Sequence, residues 1–220
     1  MTSIALFNKL REESIVGSIG ESTFTLNSMS TIIKDSSIVG NVIQEWLKKF
    51  MDTHGILYRL KPNTQEFPDF LMDNSDCQGL LEVKCFKESP NFDIANFQAY
   101  ARSLLVTPFR LDADYLIFEY AEHDNGIIIK DMWLKKVWEI SGPSERSPLK
   151  IQWKQSVPVN IRPAIWNPRG VVKYPPFSTR KQFVEAIKKV IDTSSISGGI
   201  QRGWFNRVET LYKEQTGNEL

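Results

Sequence analysis

Apolar residues recur at helical spacing over residues 2–13 (Ile4, Ala5, Leu6, Leu10). The same spacing returns over 38–53, where Val39, Val42, Ile43, Trp46, Leu47 and Phe50 form one stripe. Ser36 and Ser37 stand where that helix would be capped, and His54-Gly55 closes it, with His54 as a C-terminal helix cation. Further helices are predicted over 94–105 (capped by Asp93), 132–140, 178–192 (opened by Ser178) and 200–214, the last after a break at 194–199. Strand-like alternation marks 56–60, 67–72, 79–86, 113–121, 127–130 and two pieces within 150–162. Asn125-Gly126 is a strong turn signal between two of these strands. Residues 23–33 carry no assignable period, and 163–177 is Pro-rich and irregular.

The runs 67–72 and 79–86 flank a polar break and read as a β-hairpin. Three charges sit inside them: Asp69, Glu82 and Lys84. A symmetric antiparallel register puts Asp69 directly across from Glu82, with Cβ atoms about 5 Å apart, where like charges repel. Glu82 and Lys84 are two apart and share a face, whereas Leu81, Val83 and Cys85 point to the other face and enter the core. Two carboxylates and an ammonium therefore converge on one patch. A solvated hairpin face with Lys84 neutralising one acid would carry the same letters. A hard divalent cation between the carboxylates turns their repulsion into a binding site, and oxygen ligands with retained waters are what Mg²⁺ prefers.

Composition narrows the classes. At 220 residues, with ordinary apolar, aromatic and charged fractions, six Trp and thirteen Phe, the chain is expected to be one folded domain, or one domain with a small subdomain. It has no apolar run of membrane-spanning length, and its first ten residues lack the pattern of a signal peptide. A net charge of +1 argues against a non-specific nucleic-acid scaffold and is compatible with a cleft that concentrates cations while Asp112, Asp114, Glu119 and Glu122 balance them elsewhere. Cys77 and Cys85 lack zinc-site spacing and are expected to be reduced. His123 lies at a turn tip, far in sequence from any nucleophile.

At Pro68-Asp69 and Glu82-Val83-Lys84 the chain resembles the PD-(D/E)XK nuclease superfamily, and the order of elements around the motif resembles the blunt-cutting, EcoRV-like branch of the type II restriction endonucleases. The branch usually has Asp where this chain has Glu82. The resemblance implies an α/β (α+β) restriction endonuclease-like fold, a central mixed β-sheet flanked by helices, over the single domain 1–220. Within it, 1–35 would serve dimerisation, 36–135 would form the catalytic core and 141–177 the DNA-recognition loops. It implies a Mg²⁺-dependent homodimer that hydrolyses double-stranded DNA at a short palindrome and leaves 5'-phosphate ends. A bacterial cytoplasmic location is implied too, with a cognate DNA methyltransferase in the same system but not in contact. Asp69, Glu82 and Lys84 would be catalytic, and Asp69, Glu82 and the Val83 carbonyl would hold metal, with Gln44 or Glu45 contributing from the helix over 38–53. A repair or junction nuclease of the same superfamily, or a non-catalytic DNA-binding protein, would fit the same residues.

Residues of the types that contact phosphates and bases follow the motif. Lys87, Ser89, Asn91 and Gln98 come directly after the catalytic strand. Gln152, Lys154, Gln155 and Ser156 surround a turn suited to base readout. Arg180 and Lys181 open a helix, where a phosphate could sit on the N-terminus.

Overall fold

The hairpin predicted at the motif forms in the register that its symmetry demands. In the computed structural model, which describes residues 2–33, 35–63, 66–167, 171–194 and 203–220, Phe70 pairs with Leu81 and Leu71 with Leu80. In chain order the elements are α1 (Ser3–Glu12), β1 (Ile19–Glu21), β2 (Thr23–Leu26), β3 (Met29–Ile32), α2 (Val39–Thr53), β4 (Phe70–Leu71), β5 (Leu80–Lys87), β6 (Ala95–Asn96) and α3 (Phe97–Ser103). There follow β7 (Asp114–His123), β8 (Gly126–Lys136), α4 (Val137–Ile140), β9 (Ile151–Lys154), β10 (Val157–Ile161), α5 (Arg180–Thr193) and α6 (Trp204–Thr216). The chain divides into two compact units, Met1–Ser89 with Asp114–Lys135 and Pro90–Ala113 with Lys136–Leu220.

The first unit is built on a mixed five-stranded sheet in the order β1-β8-β7-β5-β4. Strand β5 runs antiparallel to β4 and parallel to β7. Buried strands of this kind read as near-continuous apolar runs, and β7 (Tyr115, Leu116, Ile117, Phe118) is one. Leu6 and Leu10 of α1 and Ile43, Leu47 and Met51 of α2 pack with Leu81, Val83, Leu116, Phe118, Ile129 and Met132 of the sheet. Each such side chain contributes about 1.5–3 kcal/mol by leaving water. Gly79 sets the end of the motif turn: its φ is +62°, and a Cβ there would lie 2.9 Å from Asp73.

The second unit carries a three-stranded sheet, β6-β10-β9, with α3, α4, α5 and α6. Tyr100 meets Phe183 edge-on at 5.9 Å, and the Trp204 indole N–H donates to the Ala101 carbonyl at 2.9 Å.

Several predicted elements differ. The strand over 56–60 reduces to a single bridge from Arg59 to Leu71; Leu57 is exposed, so the run has no second face to bury. Residues 23–33 form the exposed hairpin β2–β3, which turns through Asn27 and Ser28 at positive φ. The helix expected over 132–140 is strand as far as Lys136, because Met132 enters the core while Trp133 stacks on Phe86 at 5.8 Å. Asp93 does not cap α3: its carboxylate is engaged by Arg162 and Asn160, and Asn96 accepts from the Ala99 N–H instead. The N-cap of α2 is Ile38, which makes no side-chain cap hydrogen bond, and a 3-10 turn over Ser36–Ile38 leads into the helix. Thr179, not Ser178, caps α5. The break at 194–199 and the start of the helix predicted over 200–214 fall, from residue 195, outside the described residues, and α6 begins at Trp204.

Candidate active site

Asp69 lies one residue before β4, so the β4–β5 register carried one step outward sets it opposite Glu82. Its Oδ2 accepts the Val83 backbone N–H at 2.7 Å. Lys84 Nζ donates to Glu82 Oε1 at 2.8 Å. Glu82 is 9% exposed, and its second oxygen, Oε2, is buried with no hydrogen-bond partner among the described residues. A buried carboxylate oxygen left unpaired costs more free energy than the hydrogen bond it lacks.

Burial pushes the Asp69 carboxyl up to about 6, and the facing Glu82 adds to this; the Val83 N–H, the Lys84 ammonium and a hydrogen bond from Gln44 act the other way. Helix α2 thus delivers Gln44, and not Glu45, to the carboxylate. Glu45 is exposed and pairs with Lys48 at 2.6 Å, one turn along the same helix. The helical period places both residues beside the apolar stripe and does not distinguish them; packing does.

These residues suit a hard divalent cation. An ion between Asp69 and Glu82 would satisfy the orphaned Oε2 and favour the charged form of Asp69. Among the described residues there is no cluster of three or more Asp, Glu, His or Cys. Two carboxylates suit a hard, oxygen-seeking divalent cation better than a zinc cage. Cys85 does not compete as a ligand, since burial pushes its thiol up to about 12. Both cysteines are free thiols. His54 sits at the C-terminus of α2, where its Nδ1 lies 2.9 Å from the Phe50 carbonyl.

The residues proposed to touch DNA fall into distinct settings. In the first unit Lys87 pairs with Glu122 at 2.8 Å, and Ser89 is exposed. In the second unit Gln98 is half-buried on α3. Lys154, Gln155 and Ser156 form the exposed β9–β10 turn, with Gln155 and Ser156 at positive φ. Asn91 and Gln152 are exposed and both accept from Arg162, a residue with no motif of its own whose partner Asn91 lies 71 residues away along the chain. Arg180 does not face an open helix terminus. It pairs with Asp112, stacks over Trp138 and Tyr212, and donates to the Glu219 carbonyl, while Lys181 pairs with Glu209. Asp112 is therefore an internal partner, not a balancing surface charge.

A mixed sheet with packed helices sets two carboxylates and a lysine together, an arrangement that can hold a divalent cation beside an anionic substrate. The chain belongs to the NgoBV restriction endonuclease family, whose profile matches residues 1–220. It is 37% identical over 225 residues to the type II restriction enzyme NlaIV of Neisseria lactamica, covering 100% of this chain and 93% of that protein. It is 38% identical over 146 residues to the type II restriction enzyme NgoBV of Neisseria gonorrhoeae, covering 64% of this chain and 83% of that protein. The solved NlaIV restriction endonuclease superposes with a TM-score of 0.92 at 36% identity, over 100% of this chain and 92% of that one. The chain is accordingly an enzyme, a site-specific restriction endonuclease with the mixed-sheet fold of that family. Among the described residues no helix is long and apolar enough to cross a membrane.

Proposed function

We propose that the enzyme is a Mg²⁺-dependent type II deoxyribonuclease of the PD-(D/E)XK superfamily, in its EcoRV-like branch. It hydrolyses double-stranded DNA at a short palindrome and leaves 5'-phosphate ends. The observation that carries this reading is the buried, partnerless Glu82 Oε2 facing an Asp69 whose carboxyl burial has pushed up.

In this mechanism Asp69, Glu82 and the Val83 carbonyl would hold Mg²⁺, and Gln44 would support Asp69. The bound ion supplies Lewis-acid polarisation of the scissile phosphate and a lowered pKa for a coordinated water. The Val83 N–H fixes the Asp69 oxygen so that the ligand set is rigid before DNA arrives. Lys84, an ammonium held by Glu82 Oε1, orients the attacking water, whose proton leaves to solvent, and stabilises the charge that develops on the pentavalent phosphate. Lys87, Ser89, Asn91 and Gln98 contact the DNA backbone, and Gln152, Lys154, Gln155 and Ser156 approach the bases. A two-fold homodimer, with residues 1–35 in its interface, matches a palindrome and cuts both strands. The enzyme works in the cytoplasm beside a DNA methyltransferase of the same specificity, without contacting it.

Digestion of a plasmid of known sequence with Mg²⁺ tests the reading. Discrete fragments whose ends accept ligation and map to one palindromic sequence are expected. A smear, no cleavage, or cleavage confined to branched DNA would overturn it, the last in favour of a junction nuclease.

A further inference from the structure

One face of the small sheet in the second unit carries a hydrogen-bond network whose polarity is fixed at every step. Asp93 is its origin: a carboxylate can only accept. Its Oδ1 takes the Arg162 Nε at 3.1 Å, and its Oδ2 takes the Asn160 Nδ2 at 2.9 Å. Those two partners then both point donors at a third side chain. Arg162 Nη2 lies 2.8 Å and Asn160 Nδ2 3.3 Å from Gln152 Oε1. A guanidinium has no acceptor, so the Gln152 atom that meets it must be the oxygen. The amide of Gln152 is thereby held one way round, with its carbonyl filled by two donors. Its exposed NH₂ group is given no partner among the described residues. Asn91 is oriented in the same sense, since its Oδ1 accepts from Arg162 Nη1 at 3.4 Å.

The usual pairing of glutamine with adenine needs both ends of the amide, the nitrogen donating to N7 and the oxygen accepting from N6. Gln152 has no oxygen to spare. What it offers outward is two N–H donors, which fit the adjacent N7 and O6 acceptors of guanine and oppose the N6 donor of adenine. We infer that Arg162 and Asp93 are positioning residues for base readout, and that they lock Gln152 as a donor-only reader of guanine. The inference rests on the nuclease reading above and deepens it, by assigning one specificity contact and the pair that sets its sign.

The experiment begins with the cleavage sequence mapped on plasmid by wild-type enzyme. Wild type, Gln152→Glu and Arg162→Met are then compared on duplexes that carry each single base-pair substitution of that sequence. Gln152→Glu keeps an acceptor toward Arg162 and replaces the outward N–H donors by an oxygen. Its kcat/KM on the cognate duplex should fall about 10- to 100-fold, the range of one good base contact. The preference for G·C over A·T should collapse at one position of each half-site and persist at the others. Arg162→Met frees the amide to rotate, and discrimination at that same position should drop with a smaller loss on the cognate duplex. A structural role would lower cleavage of every duplex in proportion. Proportional loss, unchanged ranking of the duplexes, or a mapped sequence without a G·C pair overturns the inference while leaving the nuclease reading intact. If Arg162→Met fails to fold, the exposed Gln152→Glu decides alone. A wild-type enzyme that cleaves nothing sinks the nuclease reading itself.

Discussion

The Val83 backbone N–H donates to Asp69 Oδ2 at 2.7 Å, so the strand that carries Glu82 and Lys84 also fixes the carboxylate across from them. The three groups are therefore positioned by one hairpin. Asp69→Asn keeps the acceptor for Val83 and removes the charge. With Mg²⁺ its cleavage rate should fall by about 10²- to 10³-fold, the scale of losing one preorganised charge-stabilising group. Lys84→Ala should fall by a similar factor. Gel-shift assays in Ca²⁺ should show both variants binding cognate DNA as the parent does. Cleavage by Lys84→Ala at the parental rate would refute the assignment.

Asp69 also makes stability depend on pH. Its carboxyl is pushed up to about 6 in the folded protein, against an ordinary value of 3.8. The folded state then binds the proton more tightly than the unfolded one. The stabilising contribution is complete below the unfolded value and is lost as pH rises through about 6. Metal-free enzyme in EDTA should melt at progressively lower temperature between about pH 4 and 6 from this group, by a free energy on the order of 2 kcal/mol. Asp69→Asn should flatten that slope and be the more stable protein at pH 8. Mg²⁺ should reverse the slope in the parent, because it competes with the proton. Identical melting profiles for parent and variant in EDTA would contradict the burial argument.

Gln44 and Glu45 differ by one position on α2 and should differ sharply in effect. Gln44 hydrogen-bonds Asp69, so Gln44→Ala should push the Asp69 carboxyl higher, shift the rising limb of the pH–rate profile upward and cost about 10- to 100-fold in activity or metal affinity. Glu45→Ala removes only an exposed i,i+3 pair with Lys48, a change of about 0.2–0.5 kcal/mol in helix stability, and should leave cleavage unaltered. Steady-state rates over pH 6–9 compare the two.

What the sequence disclosed follows from where its information is local. The Asp69–Glu82 opposition was legible because a period of two and a short turn fix the register. The sheet strand β7 and helices α1, α2 and α5 were legible from their apolar faces. Strand β8 beyond Met132 was not, because Trp133, Leu134, Val137 and Trp138 also suit a short helix; stacking of Trp133 on Phe86 decides it. The β2–β3 hairpin was invisible because all of its residues but Ile32 are exposed and no alternation marks a buried face. Side-chain roles set by distant partners were beyond reach. Arg162 meets Asn91 71 residues away, and Arg180 meets Asp112 68 residues away.

That last pair separates an internal role from a DNA-binding one at the start of α5. Arg180 pairs with Asp112, whose other oxygen accepts the Tyr212 hydroxyl at 2.7 Å, and its guanidinium lies 5.0 Å from the Trp138 ring centre and 4.5 Å from that of Tyr212. Removing it strips Asp112 of its counter-charge and empties a stacked slot. Both side chains are partly solvated, so the cost falls below that of a fully buried pair. Arg180→Ala should destabilise the enzyme by about 1–3 kcal/mol in urea titration. Lys181 forms a surface pair with Glu209, and Lys181→Ala should change stability by less than about 1 kcal/mol. A phosphate-binding Arg180 would give the opposite pattern, with stability retained and the salt dependence of DNA affinity reduced by about one ion per site. Urea curves and salt titrations on the two variants distinguish these outcomes, and we expect the loss of stability at Arg180.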